Sequence, residues 1–243
     1  MEEMFNNYGD AAKKKVKYGL SKTLLLAILA GAFIAIAGAA STYASNFITN
    51  KSLAKIITAL IFPFGLILVV LFKTELFTGN CLLIIPKLKK EITFKEMIAN
   101  LIIVFIGNFI GAIFIAYILK IAGCLNIESI YTIANNKINF DFLEAFFKGI
   151  LCNILVCMAV LLSFSVKTTQ EKILVIFIPI FLFIVLGLEH VVANMYYIFA
   201  AHLGSKAITI KEMLLNNIIP VTLGNIIGGM TFAFIIYEAH KNS

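Results

Sequence analysis

One short stretch of the chain places three polar side chains, two of them ionisable, in the middle of an apolar run. It reads Gly187-Leu188-Glu189-His190-Val191-Val192-Ala193-Asn194. An ionisable group at the centre of a bilayer costs at least about 2.5 kcal/mol, so its presence there indicates a functional site. The imidazole of His190 can exchange a proton near physiological pH. This stretch is where we expect proton chemistry, provided that the run around it lies in lipid.

The composition places that run in lipid. Of the 243 residues 61% are hydrophobic and 14% are charged, and the mean hydropathy is +0.98. A soluble domain with a solvated surface does not reach this balance. All 20 basic residues are lysines, which favours charge as a topological marker over the bidentate recognition of nucleic acid by arginine. The net charge of +7 therefore predicts no nucleic-acid partner, and we expect a polytopic protein surrounded by the lipid bilayer.

Charge-free windows locate the elements that must position the polar stretch. A membrane helix needs about 20 apolar residues, and six candidates occur, of which the second and fifth are interrupted by polar residues near their middles. The second piece of each is too short to cross alone, so each is interpreted as half of a discontinuous helix. The predicted spans are 23–50, 56–72 with 76–86, 97–119, 143–166, 173–188 with 190–205, and 213–237.

These spans also predict the domains and the topology. Residues 1–22 form an amino-terminal segment, 23–237 the membrane domain and 238–243 a tail. With both ends cytoplasmic, twelve lysines fall on the inner side and six on the outer side, as the positive-inside rule requires. We expect a multi-pass protein of the cell (inner) membrane with both termini in the cytoplasm.

An internal repeat relates the two interrupted spans. Glu75-x4-Asn80 recurs 114 residues later as Glu189-x4-Asn194. Two halves of three spans each must be inverted across the membrane because three is odd, and in such folds the paired broken helices meet at the midplane and form a solute path. The sequence thus predicts an all-α membrane protein of six transmembrane helices in two inverted three-helix repeats, about 23–121 and 138–237, with helices 2 and 5 broken. A second repeated element predicts close approach of helix backbones at its glycines: Asn100-x6-Gly107-Asn108-x-x-Gly111 recurs 117 residues later as Asn217-x6-Gly224-Asn225-x-x-Gly228.

The breaks leave backbone groups without partners, which lipid tolerates only where protein or a water-filled pore satisfies them. We interpret Glu75 and Glu189 as hydrogen-bonding partners of these groups, because buried carboxylates are usually paired. His190 is different, since Leu76 stands at its position in the first half. One reading of His190 is a neutral side chain that anchors the loop to Asn153 or Glu189. The other is a proton donor to a weak-acid anion, whose neutral form crosses an apolar constriction at lower cost.

Other residues around the breaks have interpretations of their own. Lys137 either attracts anions into the outer mouth or snorkels at the membrane interface, and Lys148 with Glu144, four residues away on one helical face, predicts a local ion pair. No metal-ligand spacing, phosphate-binding glycine loop or nucleophile elbow occurs, so we expect no metal, no cofactor and no enzymatic activity. Large apolar side chains near both breaks are candidates for constrictions: Phe62, Leu66, Leu76, Phe77 and Phe183.

Four spaced motifs carry a resemblance that covers roughly residues 15–240. They are Phe62-Pro63-Phe64-Gly65-Leu66, Glu75-Leu76-Phe77-Thr78-Gly79-Asn80, Lys137 sixteen residues before Asn153 in Gly149-Ile150-Leu151-Cys152-Asn153, and the opening stretch extended to Met195. Together they resemble the formate/nitrite transporter family. The chain departs from the family pattern at Lys73-Thr74, where small neutral residues are usual, and in a short segment between the second and third spans.

The resemblance implies an aquaporin-like protomer with its own pore, five of them in a homopentamer, which conducts small monovalent anions with or as their acids. It implies a polar pore set of His190, Thr78, Lys137, Asn153, Glu189 and Asn194. It also implies one constriction made of Phe62, Leu66 and Phe183, and another made of Leu76, Phe77 and Val156.

Three classes of function follow from these observations. The first is transport of formate or nitrite with protonation of the anion by His190, with hydrosulfide as the alternative ion. The second is a neutral-solute channel of the aquaporin type, which shares the inverted plan, although paired Asn-Pro-Ala tripeptides do not occur in this chain. The third is an integral membrane enzyme, which would need a second catalytic group or a metal cluster that we do not find.

Overall fold

The fold consists of helices that cross a membrane and shorter helices that join them. The computed structural model describes residues 1–205 and 207–241, and these ranges contain no strand. Six helical spans within them are long and apolar enough to cross a bilayer, which confirms the predicted all-α membrane fold. Their bounds are Leu20–Ser45, Lys51–Leu71, Phe94–Ile121, Phe142–Leu162, Thr169–Leu186 and Ile210–His240.

The second and fifth spans are each followed by a second helical piece, which confirms the two predicted broken helices. Lys51–Leu71 is followed after a short turn by Phe77–Leu88, and Thr169–Leu186 is followed by Val191–Ser205. The first turns of both second pieces are buried in protein. The first backbone N–H groups of each second piece have no partner within their own helix, so they find partners elsewhere in the protein, as an interrupted helix in lipid requires.

The same turn ends the first piece of each broken helix. In the first half the N–H groups of Lys73 and Thr74 donate to the carbonyls of Val70 and Val69, at 3.1 and 3.0 Å, and the residues 114 positions later make the same two bonds. This pattern is a Schellman motif, which needs one residue with positive φ. That residue is Lys73 in the first half, with φ of +53°, and Gly187 in the second, with φ of +67°.

Two asparagines at matching positions fasten the breaks to neighbouring helices. The side chain of Asn108 accepts the N–H of Phe77 at 2.9 Å and donates to the carbonyls of Ala27 and Glu75 at 2.7 and 2.9 Å. Asn225 makes the corresponding three bonds in the second half, at 2.9, 2.8 and 3.0 Å. Each asparagine thus satisfies two backbone groups of its break and ties that break to a carbonyl of a neighbouring helix, and the repeat seen in the sequence recurs bond for bond.

Glycines of the repeated motif allow helix backbones to touch, as predicted. A Cβ atom on Gly111 would overlap the carbonyl of Ile28, and one on Gly228 would overlap the carbonyl of Ile150. The first and third spans therefore pack backbone to backbone in one half, and the fourth and sixth spans do so in the other.

Two further helices lie outside the predicted spans. Glu2–Val16 covers most of the segment 1–22, and the first span begins at Leu20 rather than at residue 23. Ile127–Ile138 lies in the connection between the halves and carries Lys137 at its end. Of the predicted tail 238–243, residues 242–243 lie outside the described residues, and 238–240 continue the last helix.

The amino-terminal helix Glu2–Val16 is amphipathic and packs against the membrane domain through one face. Met4, Phe5, Tyr8 and Ala12 are buried on that face, at the spacing that one side of a helix requires. Two glutamates stand in its first turn and three lysines in its last turn, a distribution that the helix dipole favours.

Candidate functional site

His190 and Thr78 join the two broken helices at the centre of the protein. Nε2 of His190 lies 2.8 Å from Oγ1 of Thr78, and both side chains are buried. Thr78 stands in the first turn of the half-helix Phe77–Leu88, and His190 directly precedes the half-helix Val191–Ser205. The partner of His190 is therefore Thr78, and neither Asn153 nor Glu189, which the sequence suggested, holds the imidazole.

The backbone determines which ring nitrogen of His190 carries the proton. The N–H of Ala193 lies 3.2 Å from Nδ1, and since an amide N–H can only donate, Nδ1 is the acceptor. A neutral imidazole has one N–H group, which must then be at Nε2 and donate to Oγ1 of Thr78. The hydroxyl hydrogen of Thr78 is left to bond another acceptor, such as an anion in the pore.

Asn153 supports Thr78 from behind. Its Nδ2 donates to the carbonyl of Thr78 at 3.3 Å and to the carbonyl of Asn225 at 2.6 Å. The thiol of Cys157 also lies 3.4 Å from the Thr78 carbonyl. Asn153 thus ties the break of the first half to the sixth span, and it positions Thr78 through the backbone.

The polar side chains at the centre are the ones that depart from the internal repeat. Elsewhere the two halves make matching bonds, but here a polar residue in one half faces an apolar or small residue at the repeat position of the other, 114 or 122 residues away. The site is therefore built by differences between two similar halves. The three pairs are His190 and Leu76, Thr78 and Val192, and Asn153 and Gly31.

A small apolar cavity adjoins His190. Its volume is about 10 Å³, close to the minimum that one water molecule needs. The rings of Phe62 and Phe183 meet edge to face with centroids 5.6 Å apart, and Phe183 stacks on the imidazole at 6.1 Å. Five of the six predicted constriction residues line this one cavity: Phe62, Leu66, Phe183, Leu76 and Val156.

Phe77 does not join this group. Its ring packs against Phe105 with centroids 5.0 Å apart, beside the third span. Leu76, its neighbour, borders both the central cavity and the wider cavity beneath the amino-terminal helix. Residues of both predicted constrictions thus lie around one apolar cavity, with Leu76 at its end.

Glu189 is held by one lysine and two amides. Nζ of Lys137 lies 2.8 Å from its Oε1, and Nδ2 of Asn194 and Nδ2 of Asn217 lie 2.6 and 3.2 Å from its Oε2. The carboxylate side chain is 3% exposed and that of the lysine 14%. This geometry supports the interpretation of Glu189 as part of the architecture. It also means that the charge of Lys137 is largely balanced by Glu189 before any anion arrives.

A matching network, which the sequence analysis missed, lies on the opposite side of the centre. Nζ of Lys15 lies 3.3 Å from Oε1 of Glu75 and 3.0 Å from Oδ1 of Asn80. Asn80 in turn donates to Glu75 at 2.6 Å and to Asn100 at 2.8 Å. Lys15 belongs to the amino-terminal helix and stands 122 residues before Lys137. This offset differs from the 114 residues between Glu75 and Glu189, so the repeat of the breaks did not point to Lys15.

We call the cavity beneath the amino-terminal helix the amino-terminal mouth. Its volume is about 430 Å³, and Leu76, Gly79 and Asn80 of the broken helix form part of its wall. Leu76 lines both this mouth and the central cavity beside His190, so the mouth adjoins the centre of the protein.

Outside the two lysine–glutamate networks, the ionisable groups include a surface ion pair and form no metal-binding cluster within the described part of the chain. Lys148 and Glu144 form the predicted local ion pair, at 3.2 Å on the surface. Within residues 1–205 and 207–241 no group of three or more histidine, cysteine or acidic side chains is placed to hold a metal ion.

Comparison with known proteins supports the membrane fold and indicates a transporter or channel. The family described as Formate/nitrite transporter matches residues 2–239. The formate channel FocA of Haemophilus influenzae is 35% identical over 250 residues, covering 90% of this chain and 88% of that protein. A solved structure described as an FNT family ion channel superposes with a TM-score of 0.92 at 26% identity, covering 98% of this chain and 99% of that one.

A second solved structure, described as a pentameric formate channel with formate bound, superposes with a TM-score of 0.81 at 30% identity, covering 92% of this chain and 98% of that one. These relatives are channels and transporters rather than enzymes, and they share the aquaporin-like arrangement of two inverted repeats that the helices show here. From its motifs, its paired broken helices and these matches, the chain belongs to the formate/nitrite transporter family.

Proposed function

We propose that each protomer conducts small monovalent anions, formate or nitrite, through a pore of its own, and that five protomers assemble as a homopentamer. The observation that carries the proposal is the hydrogen bond between His190, which lines the apolar cavity, and Thr78, whose hydroxyl hydrogen remains available to an acceptor. The formate channel identity of FocA from Haemophilus influenzae and of the pentameric relative supports the choice of ion and of assembly.

The narrow apolar passage sets the energetic problem that the site has to solve. A bare anion loses its hydration between Phe62, Phe183 and Leu76, where nothing replaces the lost hydrogen bonds, whereas the neutral acid pays a much smaller desolvation cost. Of the described residues that line this cavity, only His190 is polar, and Thr78 is its hydrogen-bonding partner. The anion therefore crosses fastest if it becomes its conjugate acid next to them.

We place the proton transfer at Nε2 of His190, directly or through the hydroxyl of Thr78. The donor is the imidazolium, which gives its Nε2 proton to the anion and is left as the neutral tautomer with its proton at Nδ1. Transfer of that proton through solvent back to Nε2 restores the neutral imidazole that the structure contains, in which Nδ1 accepts from Ala193. Forming the imidazolium adds a proton at Nδ1, which breaks the hydrogen bond from Ala193. The bond from Ala193 thus favours the neutral state between transfer events, and protons are drawn from the more acidic compartment.

The topology belongs to the same proposal. We infer that both ends lie in the cytoplasm and that the protein lies in the cell (inner) membrane. Twelve lysines on the side of the termini against six on the other support this orientation by the positive-inside rule. The amino-terminal mouth then faces the cytoplasm, and the Lys137 network faces outward.

Uptake into proteoliposomes tests the proposal. Formate, nitrite, hydrosulfide and glycerol are compared at two pH values with wild-type protein, His190→Gln and His190→Phe. We expect formate or nitrite uptake that increases at the lower pH. Glycerol uptake without anion uptake would refute the proposal, and hydrosulfide uptake that exceeds that of formate and nitrite would correct the ion.

The two histidine variants separate proton transfer from hydrogen bonding. Glutamine keeps an N–H donor for Thr78 but cannot carry a proton to the anion, and phenylalanine keeps neither. We expect both variants to lose most of the increase at low pH. If His190→Gln retains the wild-type rate and pH profile while His190→Phe does not, His190 acts only as a hydrogen-bond donor and the proton reaches the anion from water.

A further inference from the structure

We propose that the amino-terminal mouth is a binding site for a polyvalent phosphate anion, a diphosphate or triphosphate, which blocks the pore while it is bound. The site lies outside the His190 and Thr78 pair and goes beyond the conduction proposed above. It is argued from the size of the mouth, from its unbalanced charge and from the backbone at Lys73.

The mouth is far larger than the passage it leads to. Its volume is about 430 Å³, within the range of about 300–1,000 Å³ that is typical of ligand pockets, whereas formate or nitrite would occupy a small fraction of it. Its wall includes Leu76, which also lines the central cavity beside His190. A molecule that fills the mouth therefore stands directly in the path of the conducted anion.

The charge of the mouth is positive and only partly balanced. Its two carboxylates are each paired with a lysine, Asp10 with Lys13 at 2.9 Å and Glu75 with Lys15 at 3.3 Å. The hydrogen bond and charge of Lys13 hold the pKa of Asp10 below its ordinary value, so this pair stays ionised and locally neutral. Three further lysines line the mouth and have no ion pair within the described part of the chain: Lys14, Lys73 and Lys172.

Three uncompensated ammonium groups around one cavity match the charge of a diphosphate better than that of a monovalent anion. Lysine binds phosphate as a point charge with three freely rotating donors, and each such charged contact contributes more than a neutral hydrogen bond. A monovalent anion would engage one of these groups and leave the others unbalanced.

Lys73 stands where the backbone favours glycine. In the second half the same Schellman turn uses Gly187, at the position 114 residues later, with nearly the same φ. A side chain in the left-handed region is disfavoured, so the first half retains a lysine at a conformational cost that the second half avoids. The difference is explained if the ammonium of Lys73 binds a ligand in the mouth.

Lys90 provides a control for the simpler explanation that lysine only complements the carboxyl end of a helix. It also has positive φ, +58°, and it ends a helix in the same way, but it does not line the mouth. Lys73→Gly and Lys90→Gly therefore relieve the same backbone conformation and remove the same charge, one inside the mouth and one outside it.

The experiment measures formate uptake into phosphatidylcholine vesicles with pyrophosphate added on the side of the amino terminus. We expect block of wild-type protein and of Lys90→Gly at the same pyrophosphate concentration, and a half-blocking concentration at least about tenfold higher for Lys73→Gly. Sulfate at matched ionic strength should leave the uptake unchanged. Equal block of all three proteins, or no block at millimolar pyrophosphate, would overturn the inference.

A second measurement does not depend on which ion is conducted. Pyrophosphate should raise the unfolding temperature of detergent-solubilised wild-type protein and of Lys90→Gly, but not that of Lys73→Gly, because a ligand stabilises the state that binds it. If this shift appears while formate is not taken up, the conduction proposal fails and the binding site stands. If formate is taken up without any shift, the binding site fails alone.

Discussion

The buried ion pair between Lys137 and Glu189 should be strongly coupled, and a double-mutant cycle can measure this. The variants are Lys137→Met, Glu189→Gln and the double variant. Lys137→Met leaves a carboxylate that is 3% exposed with only amide donors, from Asn194 and Asn217. We expect this single change to be the most destabilising of the three, because it buries a charge without a counter-charge.

The magnitudes follow from the exposure of each partner. Breaking a buried pair from one side costs about 3–5 kcal/mol. Because two amide donors still bind the carboxylate, we expect Lys137→Met to cost about 3 kcal/mol, the lower end of this range. Glu189→Gln leaves an ammonium that is 14% exposed and can turn toward water, so about 1–2 kcal/mol is expected. The double variant leaves no buried charge and should cost about 2 kcal/mol, which gives a coupling energy of about 2–3 kcal/mol.

The protein carries its own reporter for the measurement. Cys81, Cys152 and Cys157 are buried and Cys124 is exposed, so a thiol-reactive dye follows unfolding in detergent as three new sites appear over a constant baseline. At about 2–4 °C per kcal/mol for a chain of this size, Lys137→Met should unfold about 6–12 °C below wild type at a fixed scan rate.

The surface pair Lys148 and Glu144 is the matched control, since its side chains are 28% and 45% exposed. The same cycle there should show a coupling of about 0.3–0.5 kcal/mol. Equal coupling in the two cycles, or a double variant whose cost is the sum of the single costs, would refute the reasoning that Glu189 depends on Lys137.

Two further predictions concern glycine positions and use the same unfolding assay. Gly228→Ala should prevent stable folding or lower the unfolding temperature steeply, because its Cβ would overlap a backbone carbonyl. Gly19→Ala, whose Cβ would have nothing within 4 Å, should leave the unfolding temperature unchanged. A comparable loss in both variants would contradict the backbone contact. Lys90→Gly should stabilise the protein and Gly187→Ala should destabilise it, each by about 1 kcal/mol, because both positions have positive φ, and shifts of the same sign would contradict this account.

The membrane fold could be predicted from the sequence because its signals are local. Charge-free windows located all six spans, and the offset of 114 between Glu75 and Glu189 paired the two breaks from the sequence alone. The helix Ile127–Ile138 was missed because it is short and polar, so its residues have no membrane-span signal. Lys137 was accordingly interpreted either as a residue that attracts anions into the outer mouth or as an interfacial snorkelling lysine, and its pairing with Glu189, which the structure shows, was not predicted.

The contacts of the site could be predicted only in part. The function of His190 was inferred from the absence of a counterpart in the first half. Asn153 was considered only as an anchor of that histidine, and both Thr78 and Asn153 were assigned to the pore through the family resemblance. Comparing the halves position by position would have found both, since Val192 and Gly31 stand at their repeat positions. The contact of Lys15 with Glu75 depends on how the amphipathic amino-terminal helix packs over the mouth, and no local sequence pattern encodes that packing.

The charge networks of the two halves have a consequence for how the chain is made. Lys15 precedes the first span and pairs with Glu75, and Lys137 precedes the fourth span and pairs with Glu189. Each half is therefore preceded by the lysine that neutralises its own buried glutamate. While the ribosome is still adding the second half, the first three spans can enter the bilayer with their carboxylate neutralised. The bond between Thr78 and His190 forms only after the fifth span has been made, so the nascent chain becomes membrane-compatible before its central hydrogen-bonded pair exists.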